Sequence, residues 1–466
     1  MTIANGADRT PKNPARRAAG GRRRYPGPPP WATPGLLRKL WGDRLGLLSD
    51  AAREYGDVVR FAMGPKTLYF FNHPDHARHV LADNAANYHK GLGLAEARRR
   101  ILGDGLLTSE GDTWRGQRRV ISPAFRRERI AGFTGVVADA GAQLTQRLES
   151  RSGTVVDVAE EMTALTMDVL GRTLLDVDLS PLSFLGSAFE AAQEQAMFEM
   201  VTLGAVPLWM PLPRHRRFRA AKRQIEDAVR TLVASRERGT GTDGSDLMSV
   251  LLRVAEREQD TDARWRGLRD QIITMLLAGH ETTASTLSWA WYLLSRHPEA
   301  AERLRAEAVA VLGDRTPEYA DLTRLPYTTM VIQETMRLYP AVWGLPRVAL
   351  AADEIGGYKV PAGADIMISP YTLHRHRDFW SEPDEFRPER FASDAPAVAH
   401  RYAYIPFGAG PRVCVGSHLG MLEATIIAAM VARRFRFEFA GPTDPVPEAM
   451  LSLRIRGGLP VRVRQA

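Results

Sequence analysis

The chain has 466 residues, a formal net charge of +8 and a single cysteine, Cys414. One thiol excludes an internal disulfide and a Cys-rich zinc cage, which fits a reducing, cytoplasmic setting. The charge does not point to nucleic acid: the first 24 residues hold seven of the 62 basic but one of the 54 acidic residues, so the chain from Tyr25 onward is close to neutral.

Residues 1–30 read as a disordered basic arm ending in the stiff run YPGPPP, and 31–466 as a single large domain, since no Gly/Ser-rich linker divides the interior. Met1 to Gly20 lacks the apolar core of a secretion signal. The longest apolar-leaning runs, Met200 to Pro213 and Thr282 to Ser295, are shorter than the roughly 20 residues that span a membrane. A soluble protein is expected.

Between Asp57 and Asn72, VVRFAMGPKTLYFF reads as two short strands about a Gly-Pro turn, and IGGYKVPAGADIMISPY, Ile355 to Tyr371, reads the same way. Apolar residues recur at three- and four-residue spacing over Glu128 to Arg151, Glu160 to Leu174, Phe184 to Val201, Arg216 to Arg238, Leu247 to Glu258, Ala263 to Arg296, Glu299 to Leu312 and Tyr327 to Leu338. The fold class is mainly α with a minor β-sheet portion. Three weaker signals carry no chemistry. Gly239 to Gly244 fits G-x-G-x-x-G but follows a helical stretch, not a strand, and Ser245 or Asp246 after it is a helix cap. His73, His76 and His79 spread over a wide arc of a helix and read as solvated. His374 and His376 read as sharing a strand face.

The helix over Ala263 to Arg296 is apolar on nearly every side through TMLLAGHETTASTL, which marks it as buried. It nevertheless carries Glu281 and a run of hydroxyls. A buried unpaired acid costs several kcal/mol, so these groups are expected to face a cavity, in a groove opened where Thr and Ser bond back to the preceding turn.

In FGAGPRVCVGSHLG, Phe407 to Gly420, glycines let the backbone pass close to something bulky, and a helical pattern follows at once. Cys414 therefore sits near a helix N-terminus, where N–H groups favour a thiolate. On these residues alone it is a nucleophile, a metal ligand or an inert buried thiol, though the last leaves the glycine loop unexplained.

Phe407-x-x-Gly410-x-Arg412-x-Cys414-x-Gly416 resembles the haem-binding signature of the cytochrome P450 family. Three more motifs follow that family's order: Trp114-x-x-x-Arg118, Ala278-Gly-His-Glu281-Thr282-Thr283, and Glu334-x-x-Arg337 with Arg390 in RPERF. The similarity runs from Tyr25 over nearly the whole chain. It implies the cytochrome P450 fold and a haem b whose iron takes Cys414 as axial thiolate, with Phe407 and Gly408 against the porphyrin. It further implies Arg118, Arg347 and Arg412 on the propionates, accompanied by Trp114 and His89. Glu281 and Thr282 would be the catalytic pair that passes protons to dioxygen, which argues against a peroxide-driven or isomerase-like member. Glu334, Arg337 and Arg390 would be scaffold. At His374-Arg375-His376-Arg377 the chain departs from the family's His-Arg-Asp-Pro, which affects a local turn.

The activity so implied is insertion of one oxygen atom of O2 into an apolar small molecule, a terpenoid of secondary metabolism first, with a fatty acid, steroid or polyketide as alternatives. The substrate pocket is expected to be lined by Leu106, Leu107, Met275, Ala278, Gly279, Val342, Trp343 and Leu345, with Trp343 as its polar handle. One thiol cannot hold an iron–sulfur cluster, so a separate ferredoxin or flavodoxin with its reductase is implied. Arg115, Arg118, Arg119, Arg126, Arg127 and Arg129 would attract that acidic donor. No nucleic acid and a monomeric state are expected. Two other readings differ in class. A non-catalytic haem-binding sensor would use Cys414 without Glu281 and Thr282, and a cysteine hydrolase would need a His/Asp partner and no haem.

Overall fold

The computed structural model describes residues 24–63, 66–91, 94–202, 205–238, 246–396 and 399–466. Most of the basic arm (1–23), the Gly64-Pro65 turn and Gly239 to Ser245 lie outside the described residues. Helices α1 (Thr33–Gly42) and α2 (Arg44–Tyr55) lead into strands β1 (Val58–Met63), β2 (Lys66–Phe71) and β3 (Tyr88–Lys90). The body follows as α3 (Gly111–Ile121), α4 (Thr134–Ser150), β4 (Val155–Asp157), α5 (Val158–Leu170), α6 (Leu185–Val201), α7 (Pro213–Glu237), α8 (Leu247–Ala255), α9 (Thr261–Arg296), α10 (Pro298–Leu312) and α11 (Pro326–Leu338). Then come β5 (Leu345–Ala349), β6 (Asp365–Ile368), α12 (Ser417–Ala432), β7 (Phe435–Phe439) and β8 (Pro460–Gln465). The largest sheet runs β1-β2-β6-β5-β3, and a smaller one β4-β8-β7. In the first, β2 pairs in parallel with β6, Leu68 opposite Asp365, and β3 pairs antiparallel with β5, Lys90 opposite Arg347.

Helix boundaries follow their local chemistry. Asp260 caps α9 by accepting from Asp262 N and Ala263 N at 2.8 and 3.2 Å, and Asp246 caps α8 by accepting from Ser249 N at 3.0 Å. Pro298 and Pro326 open α10 and α11, where a missing N–H costs nothing. The segment Glu128 to Arg151 is two helices, Arg127–Gly132 and α4, divided at Phe133 between two glycines that favour helix poorly. Ile355 to Tyr371 is not one hairpin. Tyr358–Val360 pairs back on Asp353–Ile355, whereas β6 joins the large sheet. His374 and His376 follow the helical turn Pro370–Leu373 and lie on no strand.

The expected back-bonds on α9 are present: Thr282 Oγ1 donates to the Ala278 carbonyl at 3.0 Å and Thr286 Oγ1 to that of Thr282 at 2.9 Å. They leave the helix uninterrupted. α9 lies against α5 so closely that a Cβ on Gly279 would stand 2.5 Å from Leu170 Cδ1.

Beside it, α11 carries an ion pair with 0 % side-chain exposure on both partners, Arg337 Nε donating to Glu334 Oε2 at 2.7 Å. Arg337 places its five N–H donors on Glu334 and on the carbonyls of His374, Pro383 and Glu385. Glu334 also accepts from Arg387 N at 2.8 Å and Arg390 Nε at 3.3 Å. None of Glu334, Arg337 and Arg390 lines the cavity described below, and together they join α11 to the segment that follows β6. Removing one partner strands the other charge, so Arg337→Ala should lose about 3–5 kcal/mol in urea unfolding, and Arg390→Ala, at the rim of the network, clearly less.

Candidate functional site

A cavity of about 350 Å3 lies between α9, the loop before α12, β5 and the start of α3. Phe407, Gly408, Arg412 and Cys414 form one wall. Within the loop Cys414 N donates to the Phe407 carbonyl at 2.9 Å and Gly408 N to that of Ile405 at 3.0 Å. Gly410 has φ +68°, and a Cβ there would collide with the Leu81 carbonyl, so only glycine fits. Cys414 stands two residues before its helix cap, Gly416. The thiol opens into the cavity yet is enclosed by the body of the protein. Burial therefore pushes its pKa up, against a pull downward from the Gly416 N–H and Arg118.

The same end of the cavity is lined by four cations: Lys90, Arg118, Arg347 and Arg412. Arg118 Nη1 donates to the Val413 carbonyl at 2.8 Å, and Arg412 stacks over Trp114 at 4.1 Å. Arg412 also pairs with Glu110, which accepts from Lys90 N at 2.7 Å. Burial lowers all four pKa values, that of Arg347 to about 10 and that of Lys90 well below its usual range. Lys90 and Arg347 stand directly opposite on β3 and β5, an arrangement that like charges destabilise. The Lys90 ammonium has no hydrogen bond or ion pair among the described residues, and Arg412 Nη1 is buried without a partner. Such a wall fits a ligand that brings carboxylates.

The opposite wall is α9 from Thr274 to Thr286. Glu281 and Thr282 both line the cavity. Gln193 Nε2 of α6 lies 2.9 and 3.0 Å from the two Glu281 oxygens. His280 turns away into the core, where burial lowers its pKa, and its carbonyl accepts from Thr166 Oγ1 at 3.0 Å. The remaining surface is mostly apolar: Leu106, Leu107, Met275, Ala278, Gly279, Val342, Trp343 and Leu345 all contribute, with Met197, Met200 and Leu451, and Thr173, Glu423 and Ser452 are its polar members. Trp343 is no polar handle for a ligand, because its indole N–H donates to the Met450 carbonyl at 2.8 Å.

Of the residues read from the sequence, His89 is not among those lining the cavity; Lys90 beside it is. Strand alternation turns neighbours to opposite faces. Lys90, Glu110 and Gln193 escaped the sequence reading, although K-G after a short β run was a usable sign for the first. His73, His76 and His79 are half-buried rather than solvated, with His79 bonded to Asp353 at 2.8 Å. Groups of three or more His, Cys, Asp or Glu able to hold a metal ion are absent among the described residues. Arg118 faces inward, while Arg119, Arg126 and Arg127 are exposed and Arg115 pairs with Asp112.

A sequence model of the cytochrome P450 family matches residues 25–458. Cyclooctatin synthase of Streptomyces melanosporofaciens is 36 % identical over 406 residues, covering 86 % of this chain and 87 % of that protein. Cyclooctat-9-en-7-ol 5-monooxygenase of the same organism is 34 % identical and covers 95 % of both chains. Carotene epsilon-monooxygenase of Arabidopsis thaliana is 32 % identical, covering 86 % of this chain and 77 % of its own. The family binds haem b through an axial cysteine thiolate, and haem's two propionates suit the cationic wall. With its motifs in order, one thiol on the cavity wall and this match over most of its length, the chain belongs to the cytochrome P450 family of monooxygenases.

Proposed function

We propose that this monooxygenase hydroxylates a terpenoid, with Cys414 as axial ligand, Arg118, Arg347, Arg412 and Lys90 at the haem propionates, and Glu281 with Thr282 as the proton path. The observation that carries the reading is a single cavity with Cys414 on one wall, Glu281 and Thr282 on the other, and apolar side chains between. Bound haem supplies the redox chemistry that activates O2, which the thiolate ligand favours. The chain's residues provide the rest. Burial favours the Cys414 thiol, and the Gly416 N–H and Arg118 pull the other way, toward the thiolate that would ligate iron. Thr282 Oγ, whose proton is committed to the Ala278 carbonyl, keeps lone pairs to accept from water. Glu281, next along α9 and on the same cavity wall, supplies and renews the proton that this water carries.

A terpenoid is favoured by the cavity and by the relatives. The wall offers chiefly shape: the Trp343 N–H is already bonded, which leaves the Thr274 and Ser452 hydroxyls, unpartnered among the described residues, as local polar points in a largely apolar lining. Relatives of similar length are named for cyclooctatin chemistry and for carotene. The family takes electrons from redox partners. Here the donor is read as an acidic ferredoxin or flavodoxin that docks on Arg119, Arg126 and Arg127, which are exposed beside the Cys414 side of the fold. No helix among the described residues is long and apolar enough to cross a membrane, and the protein is read as cytoplasmic.

The reduced, CO-treated protein should show the strongly red-shifted Soret band of thiolate ligation, and Cys414→Ser should lose it while remaining folded by circular dichroism. Terpenoid hydrocarbons and alcohols, screened against fatty acids and steroids, should give the larger substrate-induced spin-state shift. Thr282→Ala should cut product formed per electron about tenfold or more, with haem content unchanged; full retention of product yield would sink the proton path. Charge reversal at Arg126 and Arg127 should slow reduction by an acidic ferredoxin about tenfold at low salt and flatten its salt dependence.

A further inference from the structure

Glu281 is not left to find its own place in the cavity. Gln193, 3 % exposed on α6, sets its Nε2 at 2.9 and 3.0 Å from both oxygens of the carboxylate. The other end of the same amide accepts from Leu451 N at 3.2 Å. These contacts fix the amide's direction. Flipped, it would turn its oxygen toward a carboxylate and its NH2 toward an N–H, so two attractions would become two repulsions.

The charged groups around the acid make a neutral holder useful. From the short strand Leu453–Ile455, Arg454 lies between Glu190 of α6 at 3.0 Å and Glu448 at 2.8 Å, and Glu281 is among the carboxylates that raise its pKa. On α9 itself, His280 is buried and bonded to the Leu276 carbonyl. A cation in place of Gln193 would clamp Glu281 as a carboxylate, and an anion would hold a proton on it. An amide fixes position without committing the charge, which suits a group that must gain and lose a proton at working pH.

We propose that Gln193 is a positioning residue for this monooxygenase, holding the Glu281 carboxylate at the mouth of the proton path through an amide anchored on Leu451. The proposal rests on the reading of Glu281 as a proton donor. Gln193→Glu separates position from charge: it keeps the shape and the acceptor for Leu451 N, but sets two carboxylates together, which then share one proton.

Infrared titration of the resting haem-loaded protein reads Glu281 without turnover, as the carboxyl band that Glu281→Gln removes. In Gln193→Glu the midpoint of that band should rise by about one pH unit or more. Gln193→Met, which lacks the amide, should raise the share of consumed O2 released as hydrogen peroxide severalfold, yet add nothing in a Glu281→Ala background. A native infrared midpoint in folded Gln193→Glu overturns the proposal. So does a Gln193→Met effect of equal size with and without Glu281, which is the mark of a purely structural role and remains readable if the Glu variant does not fold. A native peroxide share in Glu281→Ala alone would instead overturn the proton-path reading.

Discussion

The buried Glu334–Arg337 pair anchors the loop that presents Cys414. One guanidinium nitrogen of Arg337 donates to the His374 carbonyl at 3.0 Å, and the His374 ring accepts from Ile405 N at 2.8 Å. The Ile405 carbonyl in turn receives Gly408 N, and the Phe407 carbonyl receives Cys414 N. Four short links thus join a helix ion pair to the thiol loop. The relay needs a neutral His374, and burial beside Arg337 pushes its pKa down to about 3, so Nε2 stays an acceptor at ordinary pH. Tyr404, whose hydroxyl donates to the Gln333 carbonyl at 2.9 Å, ties the same stretch to α11 a second time. A buried ion pair adds little net stability, but once present it fixes geometry, because losing either partner leaves a stranded charge.

At the haem end of the cavity each ionised group is disfavoured by its surroundings. Burial pushes Lys90, Arg118, Arg347 and Arg412 toward their neutral forms, and Cys414 toward the thiol. Among the described residues, Glu110 is the carboxylate that meets these cations, and it is shared between Lys90 N and Arg412. Lys90, Arg118, Arg347 and Arg412 would hold the carboxylates of a bound haem, and Cys414 would be its thiolate ligand.

What the sequence made legible was chemistry that sits on local periodicity. Cys414 and Glu281 stand out from a loop and a helix pattern a few residues long, the family resemblance adds Thr282, Arg118, Arg347 and Arg412, and all six line one cavity. Strand pairing was poorly legible. β3 and β5 are short, and their partners are about 257 positions apart, so nothing local announces that Lys90 meets Arg347. His89, named as a companion of the propionate residues, is absent from the lining that holds Lys90 for the same reason: on a three-residue strand the inward face is set by the partner and not by the pattern. Gln193 was invisible because a buried amide in an apolar helix has no signature until its acceptor arrives from another helix. β7 and β8 were missed because alternation over five or six residues, rich in arginine, resembles a solvated tail.

The parallel pairing of β2 with β6 also bears on how the protein comes into being. Leu68 is made early and its partner Asp365 about 300 residues later, while the collar at Leu81 that encloses Gly410 waits for still later sequence. Synthesised from the N-terminus, the chain must keep an apolar strand such as KTLYFF unpaired on one edge for most of its translation. Long-range parallel pairing is slow to form, since loop closure precedes any gain from contact. The cavity, whose walls come from residues as far apart in sequence as Lys90 and Ser452, can therefore close only when both stretches are available.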